Sequence, residues 1–214
     1  MINKGKFISL EGIDGCGKTT NIPFIAEYLT SKGFEVETVR DPGGTQLGEE
    51  LRKIALNTPC SLLTELLIFT ASRQQLVDEV ILPKLNKGCI VISDRFADSS
   101  YAYQGYGRGL LAEVCILESM LCNRVKPDYT LFLDITMNES LNRIRTRQAA
   151  TDKFEQELIS FKQKIHDGFV HRAKMFPDRI HTIDANCNQK EVQSLITEWL
   201  DTNFIEQNKH LIKG

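Results

Sequence analysis

The sequence lacks long hydrophobic runs and a strong net charge. No apolar run approaches the roughly 20 residues that a membrane-spanning helix needs, so we expect no membrane partner. The N-terminal residues lead into a β-strand pattern rather than into the apolar core of a signal peptide. The formal net charge is only -2, with 26 Lys and Arg against 28 Asp and Glu. Such a balance does not favour binding to nucleic acids or to anionic membranes.

The six cysteines include no C-x-x-C pair, and no histidine lies at ligand spacing from them. Neither a zinc site nor a disulfide framework is therefore predicted. Free thiols are typical of a reducing compartment, and we expect a cytoplasmic protein. Repeats, low-complexity tracts and Pro/Gly-rich linkers are also missing. We interpret residues 1–214 as one domain, since 42% apolar content is enough for one substantial core.

Short β-rich runs alternate with longer helical patterns along the chain. Strands are predicted at residues 6–11, 35–39, 89–93, 129–135 and 180–184. Helices are predicted at residues 21–33, 46–57, 61–85, 96–106, 111–122, 138–147 and 154–175, with one more after the last strand. This alternation predicts an α/β fold with a doubly wound, five-stranded parallel sheet between helices. Ligands bind beyond the carboxyl ends of such strands, where Glu11, Asp94 and Asp134 fall.

Residues 12–19, GIDGCGKT, match the pattern G-x-x-x-x-G-K-S/T between a strand and a helix. We call this segment the phosphate loop, because its backbone N–H groups and the following helix N-terminus favour phosphate oxygens. Lys18 is expected to reach the β- and γ-phosphates of ATP, and the Thr19 hydroxyl to bind Mg²⁺. The residues predicted to bind ATP are Gly12, Ile13, Asp14, Gly15, Cys16, Gly17, Lys18, Thr19 and Thr20. The alternative is a glycine-rich turn that matches by chance.

The phosphate loop alone leaves GTPases, ATPases, transporters and kinases open. A GTPase needs a guanine-reading N-K-x-D, but the nearest string, residues 86–89, lacks the aspartate. Motors and transporters carry long appended segments, for which 214 residues leave little room. A small kinase remains, and Asp94 and Arg95 suit it. Asp94 can hold water on Mg²⁺ and Arg95 can bind phosphate through two hydrogen bonds, although a salt bridge at a strand end is the alternative.

Two further segments suit an acceptor that carries a planar base. Pro42 begins a Pro-Gly-Gly turn, which brings backbone close to a ligand, although an ordinary tight turn has the same sequence. Phe69 and Arg73 are four residues apart on one helix face, where a ring and a guanidinium can hold a base. Taken alone, Phe69 is more typical of a core residue.

Six segments that occur in order cover most of the chain: EGIDGCGKTT, RDPGGTQLGEELR, FTASRQQLV, SDRFADSSYAYQGYGRG, PDYTLFLDI and DKFEQE. Together they closely resemble the bacterial-type thymidylate kinases, which are P-loop nucleoside monophosphate kinases. The resemblance implies transfer of the γ-phosphate of ATP to dTMP with Mg²⁺, in dTTP biosynthesis, by a homodimer. Kinases of another nucleoside monophosphate or of a deoxynucleoside, and a nucleotide-sensing switch, are the alternatives.

The resemblance also implies roles for acceptor-site residues. Asp14 matches an acid that binds the 3′-hydroxyl of the acceptor sugar, and Arg95 matches an arginine on the acceptor phosphate. Tyr103 matches a tyrosine that crowds the 2′ position and so disfavours ribonucleotides. The implied substrate-binding residues are Asp14, Pro42, Phe69, Arg73, Arg95, Ser99, Ser100 and Tyr103.

The base is the second part of the implied acceptor. Phe69 matches the aromatic ring that stacks on thymine, and Arg73 matches the arginine that reaches O4. Ser99 and Ser100 match small polar residues near the acceptor, and Ser100 occupies the position that reads the base edge. Phe96 departs from the family pattern, which has tyrosine or histidine there, and so removes one hydrogen-bonding group.

Position 15 is glycine in this chain, whereas some family members carry an arginine there, so the catalytic cation must come from elsewhere. Residues 143–156 are predicted to form a short lid, in which Arg143 and Arg147 share a helix face. We expect lid closure to deliver Arg147, together with Arg143, to the transferred phosphoryl group. Such arginines contribute about 10³–10⁵ in rate. A solvated basic helix end is the alternative. Lys153 replaces a usual arginine and loses its bidentate geometry.

The predicted catalytic residues are Lys18, Arg95, Arg143 and Arg147, which are all cations. The acceptor phosphate is largely dianionic at neutral pH because its second pKa is about 6. It is already a nucleophile, so no general base is predicted. Catalysis is expected to consist of aligning two phosphates and neutralising their charge.

Overall fold

The computed structural model describes residues 5–122, 124–146 and 158–212. Within these residues five parallel strands form one sheet, in the order β2-β3-β1-β4-β5. The strands are β1 (Phe7–Glu11), β2 (Val36–Arg40), β3 (Ile90–Asp94), β4 (Tyr129–Asp134) and β5 (Ile180–Asp184). The predicted five-stranded parallel sheet is therefore confirmed.

Helices connect the strands. The described α-helices are α1 (Lys18–Ser31), α2 (Gln46–Asn57), α3 (Leu62–Leu76), α4 (Leu82–Asn86), α5 (Ala97–Ser100), α6 (Leu111–Cys122), α7 (Met137–Thr146), α8 (Ile159–Met175), α9 (Gln189–Trp199) and α10 (Glu206–Asn208). The helix predicted at residues 61–85 contains a π-helical segment, Val77–Ile81, between α3 and α4. A second π-helical segment, Tyr101–Gly107, follows α5. Such segments are frequent at functional sites.

Local sequence explains where several helices begin. The Thr45 side chain accepts a hydrogen bond from the backbone N–H of Gly48 at the start of α2. Asn188 and Glu191 form a reciprocal capping box at the start of α9. Each cap satisfies a backbone donor that the first helical turn leaves unpaired. In contrast, α1 begins at Lys18 rather than at residue 21, since the phosphate loop leads directly into it.

The central strands are buried apolar runs. All five residues of β1 are buried, as are Ile90, Val91 and Ile92 of β3, because helices cover both faces of the sheet. The pairing of Leu10 with Asp94 aligns the carboxyl ends of β1 and β3. As predicted, Glu11, Asp94 and Asp134 end their strands on this rim of the sheet. Among the described residues, no helix has both the length and the apolarity that a bilayer crossing requires.

Candidate functional site

The phosphate loop lies between β1 and α1. Gly12, Gly15 and Gly17 have φ values of 142°, 80° and 100°, which side chains rarely tolerate. The Lys18 ammonium donates hydrogen bonds to the carbonyl oxygens of Gly12 at 3.0 Å and Ile13 at 3.2 Å. The Lys18 side chain thus lies over the phosphate loop, where it is predicted to bind phosphate.

Helix α7 packs against the phosphate loop at Gly15. A Cβ atom at position 15 would lie 2.8 Å from the carbonyl oxygen of Ser140 and 3.3 Å from the Ile144 side chain. The Ser140 hydroxyl donates a hydrogen bond to the carbonyl oxygen of Asp14 at 2.7 Å. The contact leaves no space for an arginine at position 15, which agrees with the expectation that the extra cation comes from elsewhere.

Arg95 lies against the phosphate loop. Its side chain donates hydrogen bonds to the carbonyl oxygen of Gly12 at 2.9 Å, to Asp14 at 2.6 Å and to Ser99 at 3.1 Å. Its φ of 68° is unusual for a residue other than glycine and costs about 1–3 kcal/mol of strain. Such strain persists mainly where the surroundings enforce it. The ion pair of Arg95 with Asp14 is partly buried, since only 17% and 25% of the two side chains are exposed.

Asp14 is held as a carboxylate. Burial acts to raise the pKa of Asp14, but Arg95 and Lys18 outweigh it and keep the pKa below its ordinary value. The Tyr103 hydroxyl also donates to Asp14, at 3.3 Å. Asp14 therefore accepts hydrogen bonds from two residues predicted to contact the acceptor sugar and phosphate.

A cavity, which we call the acceptor cavity, opens between the phosphate loop, α2, α3 and α5. Its lining residues are Asp14, Asp41, Pro42, Arg52, Leu56, Phe69, Arg73, Arg95, Ser99, Ser100, Tyr103 and Gln104. All the residues that the resemblance implied for substrate binding are in this set. Phe69 is 6% exposed, so it is both a core residue and part of the cavity wall.

Arg73 is fixed in the wall of the acceptor cavity by buried partners. Its Nε donates to Asp41 at 2.5 Å, and its Nη2 donates to Ser100 at 2.9 Å and to the carbonyl oxygen of Phe96 at 3.2 Å. Within the described part of the chain, these hydrogen bonds use Nε and Nη2, so Nη1 is available to a ligand. One face of the guanidinium packs over the Phe96 ring, 5.4 Å from its centroid.

Sequence reasoning missed four lining residues: Asp41, Arg52, Leu56 and Gln104. Arg52 lies on α2 within the segment RDPGGTQLGEELR, and no local pattern marks it as a cavity residue. Gln104 lies in a π-helical segment and donates to the buried Glu65 at 3.2 Å. No pattern of the sequence distinguishes these positions from core residues.

A larger cavity, which we call the phosphate cavity, extends from the phosphate loop to the turn after β5. Its lining residues are Asp14, Gly15, Cys16, Gly17, Lys18, Thr19, Thr20, Asn21, Arg52, Asp94, Arg95, Glu139, Arg143, Asn186, Cys187, Asn188, Gln189 and Val192. Of the residues predicted to bind ATP, Gly12 and Ile13 are outside this lining and instead supply carbonyl oxygens to Lys18. Asp94 Oδ1 is buried and has no hydrogen-bond partner among the described residues.

The predicted lid is only partly described. Arg143 lines the phosphate cavity, and its side chain donates to Glu139 at 2.8 Å and to the carbonyl oxygens of Ala185 and Cys187 at 2.9 Å. Arg143 thus joins α7 to the turn after β5. Arg147 and Lys153 lie outside the described residues.

Comparisons with known proteins find similar proteins for most of the chain. A family model described as thymidylate kinase matches residues 10–196. A thymidylate kinase of Thermoanaerobacter pseudethanolicus is 47% identical over 185 residues, which cover 85% of this chain and 90% of that relative. A thymidylate kinase of Thiobacillus denitrificans is 45% identical over 197 residues, covering 92% of this chain and 96% of the relative.

A solved structure has the same fold. The crystal structure of thymidylate kinase from Ehrlichia chaffeensis superposes with a TM-score of 0.75 at 32% identity. The match covers 92% of this chain and 99% of that one.

Proposed function

Since the chain belongs to the thymidylate kinase family, we propose that the phosphate cavity and the acceptor cavity are its two substrate sites. The chain is an ATP-dependent nucleoside monophosphate kinase, which transfers the γ-phosphate of ATP to dTMP. The phosphate cavity is the proposed ATP site and the acceptor cavity the proposed dTMP site. Residues 1–214 are proposed to act as one kinase domain.

One observation carries this assignment: Asp14, Arg52 and Arg95 line both cavities. A phosphoryl group that passes from ATP to dTMP must cross the place where the two substrates meet. Two guanidiniums at that place can neutralise the charge of both phosphates and hold them in line. Arg52 also donates to the carbonyl oxygen of Pro42 at 3.1 Å, which ties it to the wall of the acceptor cavity.

The proposed mechanism needs alignment and charge but no base. The dianionic acceptor phosphate attacks directly, because its second pKa of about 6 leaves it deprotonated at neutral pH. Lys18 leaves the carbonyl oxygens of the loop to reach the phosphates of ATP, and Arg95 holds the acceptor phosphate. Asp14 accepts a hydrogen bond from the 3′-hydroxyl of the sugar. Tyr103 packs against the sugar ring and crowds its 2′ position.

The base is proposed to lie between Phe69 and the polar groups of α3 and α5. Phe69 offers a ring face for stacking, and Nη1 of Arg73 can donate to O4. Ser100 and Gln104 add hydrogen-bonding groups at the same wall. A donor set of this kind favours a base with carbonyl oxygens, as thymine has, over a base with amino groups.

Mg²⁺ is proposed to be held by the Thr19 hydroxyl and by Asp94, and the residues fit it. Both line the phosphate cavity, and the buried Asp94 Oδ1 has no partner among the described residues. Within those residues no group of three or more His, Cys, Asp or Glu could hold a metal ion. Mg²⁺ needs only one or two side chains beside phosphates and water. When bound, it supplies positive charge to the phosphate oxygens.

Arg147 stays the proposed lid cation, and Arg143 is proposed to assist it. The hydrogen bonds of Arg143 to the turn after β5 support a role in holding the wall of the ATP site. Its position on α7, which packs on the phosphate loop, supports delivery of the following residues toward the same cavity.

A homodimer in the cytoplasm is also proposed. Helix α3 packs against α2 and α6, and these helices expose apolar side chains. Ile116 and Met120 of α6 are 62% and 66% exposed, and Leu63 and Leu67, which lie four residues apart on α3, are 45% and 47% exposed. An exposed apolar surface of this kind marks a protein interface. The five cysteines whose side chains are described are free thiols, which supports a reducing compartment.

A coupled ADP-release assay tests the function. The acceptors are dTMP, dUMP, the ribonucleotide TMP, thymidine and none, each with MgATP. We expect rapid transfer to dTMP and little turnover without an acceptor. Faster transfer to thymidine would favour a deoxynucleoside kinase, and ATP turnover without an acceptor would favour a nucleotide-sensing switch.

A further inference from the structure

Glu11 is a carboxylic acid at the end of β1 that the mechanism above does not use. Its exposed fraction is 0%. Its Oε1 accepts a hydrogen bond from the backbone N–H of Phe96 at 2.7 Å, and its Oε2 accepts one from the Ser99 hydroxyl at 2.6 Å. A buried carboxyl group costs free energy unless hydrogen bonds satisfy it. Both of its donors belong to the segment that carries Arg95.

Both hydrogen bonds to Glu11 come from residues that follow Arg95 in the chain. On the other side, the Arg95 N–H donates to the carbonyl oxygen of Leu10 at 3.0 Å. Residues 10 and 11 therefore hold the backbone immediately before and after the residue with φ of 68°. A conformation of this kind persists only where its surroundings over-determine it.

Glu11 also acts on the guanidinium of Arg95 through one intermediate. The Ser99 Oγ donates to Glu11 and accepts from Arg95 Nη1 at 3.1 Å. The bond to Glu11 thus orients the Ser99 hydroxyl so that its lone pair faces Arg95. The same guanidinium nitrogen donates to the carbonyl oxygen of Gly12, the residue after Glu11.

We propose that Glu11 is a positioning residue, which holds the backbone and the guanidinium of Arg95 at the place where the two cavities meet. Glu11 itself contacts no substrate. The inference rests on the proposed contact of Arg95 with the acceptor phosphate. A misplacement of a reacting group by about 1 Å can cost about 100-fold in rate, so the two hydrogen bonds affect turnover more than affinity for ATP.

The hydrogen bonds, rather than the charge, carry this role. Burial, together with the nearby Asp98, raises the pKa of Glu11 to about 8, against the opposing effects of Ser99, Arg95 and the backbone N–H of Phe96. A glutamine has nearly the same shape, can accept from Phe96 and can still bond the Ser99 oxygen, although the direction of that hydrogen bond is reversed, so Glu11→Gln is the conservative variant.

The test compares kcat and the KM values for dTMP and ATP in Glu11→Leu, Glu11→Gln and Ser9→Ala. Ser9 is the matched control, since it is a buried polar residue of the same strand whose hydroxyl bonds Thr130 at 2.7 Å. We expect kcat of Glu11→Leu to fall about 10- to 100-fold with an unchanged KM for ATP. Glu11→Gln should stay within about threefold of the wild type, and Ser9→Ala should keep its kcat. A folded Glu11→Leu with wild-type kcat would overturn the proposal.

A double-mutant cycle with Arg95→Lys separates the two claims. If Glu11 acts through Arg95, Glu11→Leu should lower kcat little further in the Arg95→Lys background. Fully additive losses would overturn the role of Glu11. Wild-type kcat in Arg95→Lys alone would instead overturn the proposed role of Arg95. If Glu11→Leu does not fold, Glu11→Asp replaces it. The shorter side chain cannot reach both donors, so the same fall is expected and wild-type kcat would again overturn the proposal.

Discussion

Ser140 on α7 donates a hydrogen bond of 2.7 Å to the carbonyl oxygen of Asp14 in the phosphate loop. The helix that leads to the predicted lid therefore packs directly on the loop that holds the phosphates of ATP. Gly15 makes this approach possible, because a Cβ atom there would lie 2.8 Å from the Ser140 carbonyl oxygen. A side chain at position 15 would therefore occupy the space that α7 fills.

A side chain at position 15 should separate α7 from the loop. Gly15→Ala and Gly15→Arg are expected to lower the free energy of unfolding by about 1–3 kcal/mol and to lower kcat, even though the second variant adds a cation. Gly109→Ala is the matched control, since Gly109 also has φ of 80° but a Cβ there meets nothing within 4 Å. Urea unfolding and steady-state kinetics measure both effects. Equal destabilisation of Gly15→Ala and Gly109→Ala would contradict a steric cause.

The buried pair of Asp41 and Arg73 should be required for dTMP binding. Asp41→Asn removes the charge that faces Arg73, and breaking a buried ion pair costs about 3 kcal/mol. We expect the KM for dTMP to rise at least about tenfold, since Arg73 is no longer held at the cavity wall. Glu50→Gln, which breaks the exposed pair with Lys53, is the control. It should change neither the KM for dTMP nor the free energy of unfolding. An unchanged KM in Asp41→Asn would show that the charge of Asp41 is not needed to hold Arg73 at the cavity wall.

Two histidines should give opposite pH dependence of stability. The hydrogen bond to Asp134, only partly opposed by burial, raises the pKa of His166 above its ordinary value. The folded state then holds that proton more tightly than the unfolded state. The stabilisation is full below about pH 6.5 and is lost as the pH rises through the folded pKa. Burial lowers the pKa of His181, so its contribution is instead lost as the pH falls.

NMR titration of the histidine ring protons measures these pKa values directly. Urea unfolding of the wild type and His166→Asn at about pH 6 and about pH 9 should show a difference that shrinks at the higher pH. For His181→Asn the change with pH should have the opposite sign. Parallel behaviour of the two variants would disprove the assignment.

The lid arginine should act in turnover rather than in binding. Arg147→Ala is expected to lower kcat by about 10³-fold or more while the Kd for dTMP stays near that of the wild type. Arg145→Ala is the control. Arg145 is exposed on α7, and its position in the sequence places it on a different helix face from the one that Arg143 and Arg147 are predicted to share. Rapid-mixing kinetics and calorimetry measure the two quantities. Wild-type turnover in Arg147→Ala would exclude this residue as the cation.

The apolar surface of α3 and α6 should hold two copies together. Ile116→Glu places a charge in the proposed interface and is expected to give a monomer in light-scattering chromatography. Leu195→Glu adds the same charge at a partly exposed leucine of α9 and should leave the assembly intact. A wild-type protein that is itself monomeric at micromolar concentration would disprove the proposed homodimer.

Much of the site follows from local patterns. The phosphate loop, the strand ends at Glu11 and Asp94, and the i, i+4 pair of Phe69 and Arg73 are each visible within a few residues. The resemblance to thymidylate kinases then adds the remaining acceptor residues, all of which line one cavity. Helix boundaries were also close, except where π-helical segments interrupt a continuous apolar pattern, since such a pattern does not reveal a widened turn.

Other features depend on partners far away along the chain. Arg52 and Gln104 carry no distinctive pattern. Their place in the cavity wall follows only from the packing of α2 on α3 and from the hydrogen bond of Gln104 to Glu65 of α3. Likewise, nothing near Glu11 indicates its bond to Phe96, which lies 85 residues later.

By itself, the sequence determined the order of strands and helices and the phosphate loop, because periodicity and turn residues act over a few neighbouring positions. The chemistry of an ATP-dependent kinase followed from the resemblance to the thymidylate kinases. Tertiary structure alone decided that Arg95 is held from both sides by β1, that α7 excludes a side chain at Gly15, and that two cavities share Asp14, Arg52 and Arg95. These contacts join segments that meet only when the parallel strands align their carboxyl ends. Their energies depend on distances that no local pattern encodes.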